Sequence, residues 1–182
     1  MTMKVPDALV YEEMEHQPIY YKNFEEALVN GKSKDDIMGT SIFQASLVSF
    51  ILNFLNKNLD RKEFLVVTNE AGLHLSKGNN LANDIAIYSK KKHRIDFFSN
   101  KYFDVPPVVT VEVDVKADLK DFTAPLDYYY RKTQKMLQFG VEKVVWVTTD
   151  SRIVTIARVT LSTLRGLCLS LIHISEPTRH RR

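Results

Sequence analysis

Five ionisable side chains in the middle of the sequence have types and spacing suited to holding a metal ion beside a cation. They are Asp84, Glu112, Asp114, Lys116 and Lys132. Glu112, Asp114 and Lys116 alternate with valines, which is typical of a strand whose polar side chains share one face. Residues two apart on a strand are about 7 Å apart at Cα, so the two carboxylates could share one hard divalent ion. A solvated strand face gives the same alternation, so this run alone leaves both interpretations open.

Asp84 begins the short apolar segment 84–88, which predicts a second strand. A carboxylate there is costly to bury unless it is paired or binds a cation. The alternative is that Asp84 caps a turn formed by residues 79–83. If the two strands are neighbours, Asp84 and Glu112 face each other across one ladder step, with about 5 Å between Cα atoms. Two carboxylates at that separation suit Mg²⁺ or Mn²⁺.

Hydrophobic periodicity predicts the elements that position these side chains. An amphipathic helix is predicted from residue 40 or 41 to residue 59, and a second from about residue 126 to residue 139, with Asp121 or Thr123 as its cap and Gly140 ending it. Strands are predicted at 63–68, 73–75, 84–88, 108–116, 143–148 and 152–157. The segment 108–148 has the length of one right-handed crossover, so its two strands should be parallel. The fold class is therefore an α/β sandwich with a central mixed sheet, after an irregular N-terminal forty residues that contain a helix near 23–29.

The composition fits one soluble domain, with 45% hydrophobic and 26% charged residues among 182. No apolar run approaches the roughly 20 residues that a membrane-spanning helix needs, and the N-terminus lacks the apolar stretch of a secretory signal. The single cysteine, Cys168, excludes an internal disulfide and a cysteine metal site. We therefore expect a cytoplasmic protein that does not associate with membranes.

Residues 169–179 are similar to a translated adapter of the kind used in sequencing libraries. We therefore expect residues 169–182 to be non-native, the natural C-terminus to be missing, and the domain to span residues 1–168 with a core of about 36–158. Three arginines and one glutamate of this tail contribute +2 of the formal charge of +3. The remainder is near neutral, which provides no long-range electrostatic steering.

The segments 83–88, 111–117 and 132–147 together resemble the Uma-type family of proposed restriction endonucleases, long catalogued as a domain of unknown function. That family falls in the PD-(D/E)XK nuclease superfamily, and the resemblance covers about residues 36–158. It implies a restriction-endonuclease-like three-layer core, in which a helix, three strands, a helix and further strands surround a central mixed sheet. It also implies a Mg²⁺- or Mn²⁺-dependent endonuclease that hydrolyses phosphodiester bonds, with DNA as substrate. The alternative is a catalytically inactive module on the same fold that binds nucleic acid or protein.

The resemblance assigns the metal to Asp84 and Glu112, assisted by the carbonyl of Val113, while a lysine positions the attacking water. Asp114 joins the metal set or takes the acid position, because both registers of the motif leave it on the same face. Where the family has proline before the aspartate, this chain has Asn83, which should alter only a turn.

The lysine could be Lys116 or, as often in the family, one from the following helix, where Lys132 and Lys135 compete. The predicted buried stripe of that helix consists of Leu126, Tyr130, Thr133 and Leu137. Lys135 lies opposite this stripe, and Lys132 lies at its edge, about 40° from Met136. Lys132 should therefore reach inward more easily, although a solvated helix face is the competing interpretation for both.

Two further features are less specific. Gln44, on the first helix, falls near the place where such nucleases often have an acidic or histidine side chain, but is expected to be a polar residue at the edge of a core helix. The basic cluster 90–94, followed by Phe97 and Phe98, could contact a phosphate backbone or form a solvated loop. The sequence does not decide the oligomeric state, and both a monomer and a homodimer are compatible with it.

Overall fold

The structure is a computed structural model, and it describes residues 5–30, 37, 41–114, 117–159 and 168–173. Eight strands form one sheet in the order β2-β1-β4-β5-β6-β7-β8, with β3 pairing with β4. The strands are β1 (Val10–Met14), β2 (Gln17–Tyr20), β3 (Phe64–Ser76), β4 (Asn79–Ser89), β5 (Val109–Val113), β6 (Lys143–Thr148), β7 (Ile153–Arg158) and β8 (Cys168–His173). β5 and β6 are parallel, as predicted for a crossover, and the other pairs are antiparallel. The predicted mixed α/β fold is confirmed.

The described helices are α1 (Phe24–Asn30), α2 (Ile42–Asn58) and α3 (Pro125–Phe139). The Ser41 side chain caps α2 by accepting a hydrogen bond from the Gln44 N–H at 3.1 Å. α3 begins at Pro125, but its N-cap is Ala124 without a side-chain cap bond, so the predicted capping by Asp121 or Thr123 is wrong. Gly140 ends α3 as predicted, in the left-handed conformation at φ 115°.

β3 and β4 form one long hairpin, where the sequence predicted a meander of three short strands. Asn69 and Glu70 have positive φ angles of 71° and 53°, and the register shifts beside them. Asn69 and Glu70 form a bulge in β3, and strand pairing resumes after it. The strand therefore continues through Gly72 instead of ending before it. The hairpin turn contains Gly78 at φ 76°.

The N-terminal region also contains a hairpin, formed by β1 and β2, which the sequence analysis missed. Its turn residues, Glu15 and His16, have φ angles of 55° and 64°, as in the turns that favour glycine or asparagine. The His16 N–H donates to the Gly78 carbonyl at 2.9 Å, so this turn contacts the turn of the β3–β4 hairpin. Pro18 is tolerated because β2 is an edge strand.

The buried side of α3 differs from the predicted stripe. Its buried residues are Tyr128, Lys132, Thr133, Met136 and Leu137. Leu126 and Tyr130 are 77% and 48% exposed. The helix is rotated because Tyr128 and Lys132 make polar contacts inside the domain, and hydropathy counts such residues as surface. Lys132 therefore lies on the buried side, not at its edge.

α2 carries apolar residues on its outer side as well as toward the sheet. Ile42, Phe43, Phe50 and Phe54 are exposed, so the helix does not confine its apolar residues to one buried face. None of the described helices is both long enough and apolar enough to cross a membrane. At the far edge of the sheet, β8 pairs with β7. An open strand edge accepts any extended segment, so this pairing does not depend on a particular sequence.

Candidate active site

The candidate site lies where β4 changes partners. Asn80 pairs with Glu13 of β1, whereas Ile85 pairs with Val111 of β5. Continuing the β4–β5 register by one residue places Asp84 opposite Glu112, as the sequence predicted. The main-chain hydrogen bonds between β4 and β5 end at this point. Beyond it, a side chain provides the acceptor: Asp84 Oδ2 accepts a hydrogen bond from the main-chain N–H of Val113 at 2.8 Å.

Asp84 lies inside β4 and is only 6% exposed. The alternative that it caps a turn is therefore wrong, because the nearest turn is at residues 77 and 78. Asn83 is also in the strand and fully buried, which corrects the expectation that it affects only a turn. The Asp84 carbonyl accepts a hydrogen bond from Thr68 Oγ1 at 2.7 Å, which fixes the strand on its β3 side.

Glu112 is a buried carboxyl group whose pKa is raised. Its side chain is 1% exposed, and Oε2 accepts a hydrogen bond from Lys132 Nζ at 2.9 Å. The other oxygen, Oε1, is buried and has no hydrogen-bond partner among the described residues. Burial, with repulsion from Asp84 and Glu12, outweighs the attraction of Lys132 and raises the pKa of Glu112 to about 8.

Lys132 extends from α3 into the same cluster and is fully buried. Its Nζ lies 2.7 Å from Glu12 Oε1 and 2.9 Å from Glu112 Oε2, and it donates to the Ala82 carbonyl at 2.8 Å. Burial acts to lower the pKa of Lys132, but the attraction of Glu112 and Glu12 raises it above its ordinary value. The predicted inward direction of Lys132 is confirmed.

Aromatic rings surround this buried ammonium. The ring centroids of Tyr11, Tyr128 and Trp146 lie 5.7, 5.9 and 5.6 Å from Lys132 Nζ. Trp146 is fixed by a hydrogen bond from Nε1 to Thr133 Oγ1 at 2.8 Å. The faces of such rings attract cations, so the rings favour the charged lysine while they exclude water from it.

Glu12 belongs to this cluster and was missed by the sequence analysis. It is 2% exposed. Its Oε1 accepts from the Ala82 N–H at 2.9 Å, and its Oε2 accepts from the Tyr128 hydroxyl at 2.8 Å. A weak signal was present, since Glu12 shares one face of the alternating segment with Val10 and Met14. A charged residue between two apolar ones on the same strand face indicates a buried polar contact.

Asp114 does not join Asp84 and Glu112. β5 ends at Val113, and Asp114 has a φ of 58°, so the predicted strand alternation stops before it. Its two carboxylate oxygens accept hydrogen bonds from the Thr149 N–H at 2.7 Å and from Thr149 Oγ1 at 2.8 Å. Within the described parts of the chain, no three acidic, histidine or cysteine side chains form a metal-ligand group. Lys116 lies outside the described residues.

Gln44 approaches the site from α2. It is 6% exposed, and its Nε2 donates to the Val113 carbonyl at 2.6 Å. The expectation of a polar residue at the helix edge was therefore wrong, since Gln44 makes a buried contact with the strand that carries Glu112. A carbonyl oxygen has two lone pairs, so this bond occupies one of the two acceptor positions of Val113.

The competing lysine, Lys135, is held elsewhere: its Nζ lies 2.9 Å from Glu15 Oε1 on the β1–β2 turn. The basic cluster 90–94 follows β4, which ends at Ser89. Ser89 is five residues beyond Asp84, or about 16 Å along the strand. Lys91 and Lys92 there form ion pairs with Glu63 and Glu142. The cluster therefore does not border the site, and two of its charges are already paired.

The donor set fits a divalent cation held by few protein ligands. Mg²⁺ in phosphate-processing sites is often bound by one or two carboxylates, with water and substrate supplying the other oxygens. Asp84 and Glu112 are two such carboxylates, and the buried Oε1 of Glu112 lacks a described partner. A buried oxygen of this kind is expensive unless a proton or a cation satisfies it.

No protein-family model matches the chain, and no curated protein matches it. Among solved structures, it is similar to a protein from Anabaena variabilis ATCC 29413 described as a "putative nuclease belonging to DUF820". The TM-score is 0.59 at 10% sequence identity, and the match covers 87% of this chain and 74% of that one. DUF820 is the Uma-type family that the sequence motifs resemble. At this identity, the similarity shows that the two proteins share a fold.

Proposed function

We propose that this protein is a divalent-metal-dependent endonuclease that hydrolyses phosphodiester bonds in DNA. The observation that carries the proposal is the buried Oε1 of Glu112, which has no hydrogen-bond partner among the described residues. Continuing the β4–β5 register by one residue places this carboxylate opposite Asp84. The nuclease-like fold of the structural neighbour supports it. A cytoplasmic setting, with DNA as the polymeric substrate, is part of the same proposal.

In this account Asp84 and Glu112 hold a Mg²⁺ or Mn²⁺ ion, which supplies positive charge to the phosphoryl oxygens of the substrate. The Val113 N–H fixes one oxygen of Asp84, and Lys132 fixes one oxygen of Glu112. Each carboxylate is therefore oriented by the protein before an ion binds, and pre-oriented ligands lose little entropy on binding.

The charge of Glu112 must change when a cation binds. Because the pKa of Glu112 is raised to about 8, its carboxyl group carries a proton at neutral pH until a cation replaces it. Binding should therefore release a proton below pH 8 and should be favoured as the pH rises.

A second function is favoured by one specific observation. Lys132 lies within ion-pair distance of both Glu12 and Glu112 and fills the space between them. A carboxylate cluster held by a buried lysine in this way is also what an inactive binding module on the same fold would contain. The two proposals differ in whether Asp84 and Glu112 bind an ion.

The test is nicking of supercoiled plasmid by the full chain in Mg²⁺ or Mn²⁺, with Asp84→Asn and Glu112→Gln compared under the same conditions. The expected result is metal-dependent nicking that EDTA abolishes and that each substitution reduces by at least about 10²-fold. A parallel incubation with single-stranded RNA of matched length tests the preference for DNA.

Glu13→Gln is the matched control, because it removes one charge beside Glu12 while the side chain retains an acceptor for Asn80. It should nick the plasmid at the wild-type rate. Nicking that survives each of the two site substitutions would favour the binding module. So would a wild-type protein that is inactive with both Mg²⁺ and Mn²⁺.

A further inference from the structure

The ammonium group of Lys132 has no N–H left for a substrate or a water molecule. An ammonium has three donors, and Lys132 directs them at Glu12, Glu112 and the Ala82 carbonyl, at 2.7, 2.9 and 2.8 Å. The side chain is also fully buried. Lys132 therefore lacks both the free donor and the exposure that a lysine positioning an attacking water needs.

Glu12 determines how Lys132 contacts Glu112. Because Glu12 takes one N–H and the Ala82 carbonyl takes another, Lys132 has one donor for Glu112 and contacts only Oε2. Glu12 is itself held by the Ala82 N–H and the Tyr128 hydroxyl. The second oxygen of Glu112 is left without a described partner.

We infer that Glu12 and Lys132 are a positioning pair: together they hold Oε2 of Glu112 and leave Oε1 available to a divalent cation. The inference rests on the proposed function, because it assigns Glu112 as a ligand. It removes Lys132 from contact with the reacting atoms and adds Glu12, which touches neither cation nor substrate. Without the charge of Glu12, the ammonium is drawn to both oxygens of Glu112 and competes with the cation.

The test is a double-substitution cycle read by Mn²⁺ binding to the full chain, measured by calorimetry and by electron paramagnetic resonance of free Mn²⁺. Glu12→Gln should weaken Mn²⁺ binding about tenfold, the range for residues that orient a metal ligand. In a Lys132→Met background the same substitution should change binding less than about twofold, because its effect is transmitted through the lysine. Glu13→Gln should bind like the wild type.

An equal loss in both backgrounds would show that Glu12 is itself a ligand and would overturn the inference. So would an unchanged affinity in Glu12→Gln. If the double variant fails to fold, a crystal structure of Glu12→Gln decides: Lys132 contacting both oxygens of Glu112 supports the inference, and contact with Oε2 alone contradicts it. A wild-type chain that binds no Mn²⁺ would refute the proposed function as well, whereas wild-type binding that is insensitive to Glu12→Gln would refute the positioning pair alone.

Discussion

Lys132 Nζ lies 2.9 Å from Oε2 of Glu112 in the buried centre of the domain. The contact joins α3 to β5 and occupies only one of the two carboxylate oxygens. A buried contact between an ammonium and a carboxyl group adds little net stability, because desolvation offsets most of the attraction. Its consequence is orientation: the direction of the remaining oxygen of Glu112 is fixed by the helix.

The first prediction concerns pH and stability in metal-free buffer. The folded-state pKa of Glu112, about 8, lies above its ordinary value of 4.5. Between these values the folded chain holds a proton that the unfolded chain has released, so stability falls as the pH rises through this window. Lys132 stays protonated there, because its pKa is raised.

Urea unfolding at pH 5 and pH 8 in EDTA measures this effect. Relative to Glu112→Gln, which does not titrate, the wild type should lose on the order of a few kcal/mol of unfolding free energy between the two pH values. A difference between the two proteins that is independent of pH would contradict the raised pKa.

The second prediction separates the structural role of Asp84, its hydrogen bond to the Val113 N–H, from its proposed role as a metal ligand. In the wild-type protein, Asp84 Oδ2 accepts a hydrogen bond from the Val113 N–H at 2.8 Å. Asp84→Asn retains an oxygen that can accept this bond, so its unfolding free energy should stay close to the wild-type value. Asp84→Ala leaves that buried N–H without its acceptor and should cost about 1–3 kcal/mol. Both should weaken Mn²⁺ binding by about tenfold or more. Equal stability of the two variants would show that the hydrogen bond contributes nothing.

The third prediction concerns Gln44. Gln44→Leu removes the buried donor to the Val113 carbonyl, found at 2.6 Å, and should destabilise the protein by about 1–3 kcal/mol in thermal or urea unfolding. Gln44→Glu places a carboxylate against a carbonyl oxygen, and only its protonated form can donate. Its stability relative to the wild type should therefore improve as the pH falls toward 4, and a deficit that does not change with pH would exclude this hydrogen bond.

The fourth prediction concerns Asp114, which the sequence grouped with the metal ligands. Its two oxygens contact the N–H and hydroxyl of Thr149. Asp114→Asn should lower the unfolding free energy by about 1 kcal/mol and leave the affinity for Mn²⁺ within about twofold of the wild type. A tenfold loss of Mn²⁺ affinity in that variant would restore Asp114 as a ligand.

The sequence predicted the fold well where the hydrophobic pattern is strong. The crossover from β5 to β6 and the helix that ends at Gly140 follow from period and spacing. The position of Asp84 opposite Glu112 was predicted on the condition that their strands are neighbours, and the β4–β5 register agrees with it. Strand alternation and the helical period are local rules, so they hold wherever the backbone is regular.

Two parts of the site, Glu12 and the position of Asp114, could not be predicted, and Lys132 was predicted only in part. Glu12 lies on a hairpin whose turn, Glu15 and His16, lacks the residues typical of such turns. Asp114 leaves the strand face because its φ is positive. Lys132 is central to the buried side of α3 because two glutamates from other strands surround it. Periodicity placed Lys132 at the edge of the buried stripe, so it predicted the inward direction but not the central position of this lysine.

The most direct test of the account is a crystal of the full chain soaked in Mn²⁺ at pH 8 and measured for anomalous scattering. We expect an anomalous peak within bonding distance of Glu112 Oε1 and of the Asp84 carboxylate, with Lys132 still in contact with Oε2 of Glu112. The peak should be missing in Glu112→Gln. The absence of a peak at these two carboxylates in the wild-type protein, or a peak bound by other residues, would show that Asp84 and Glu112 are not the metal ligands.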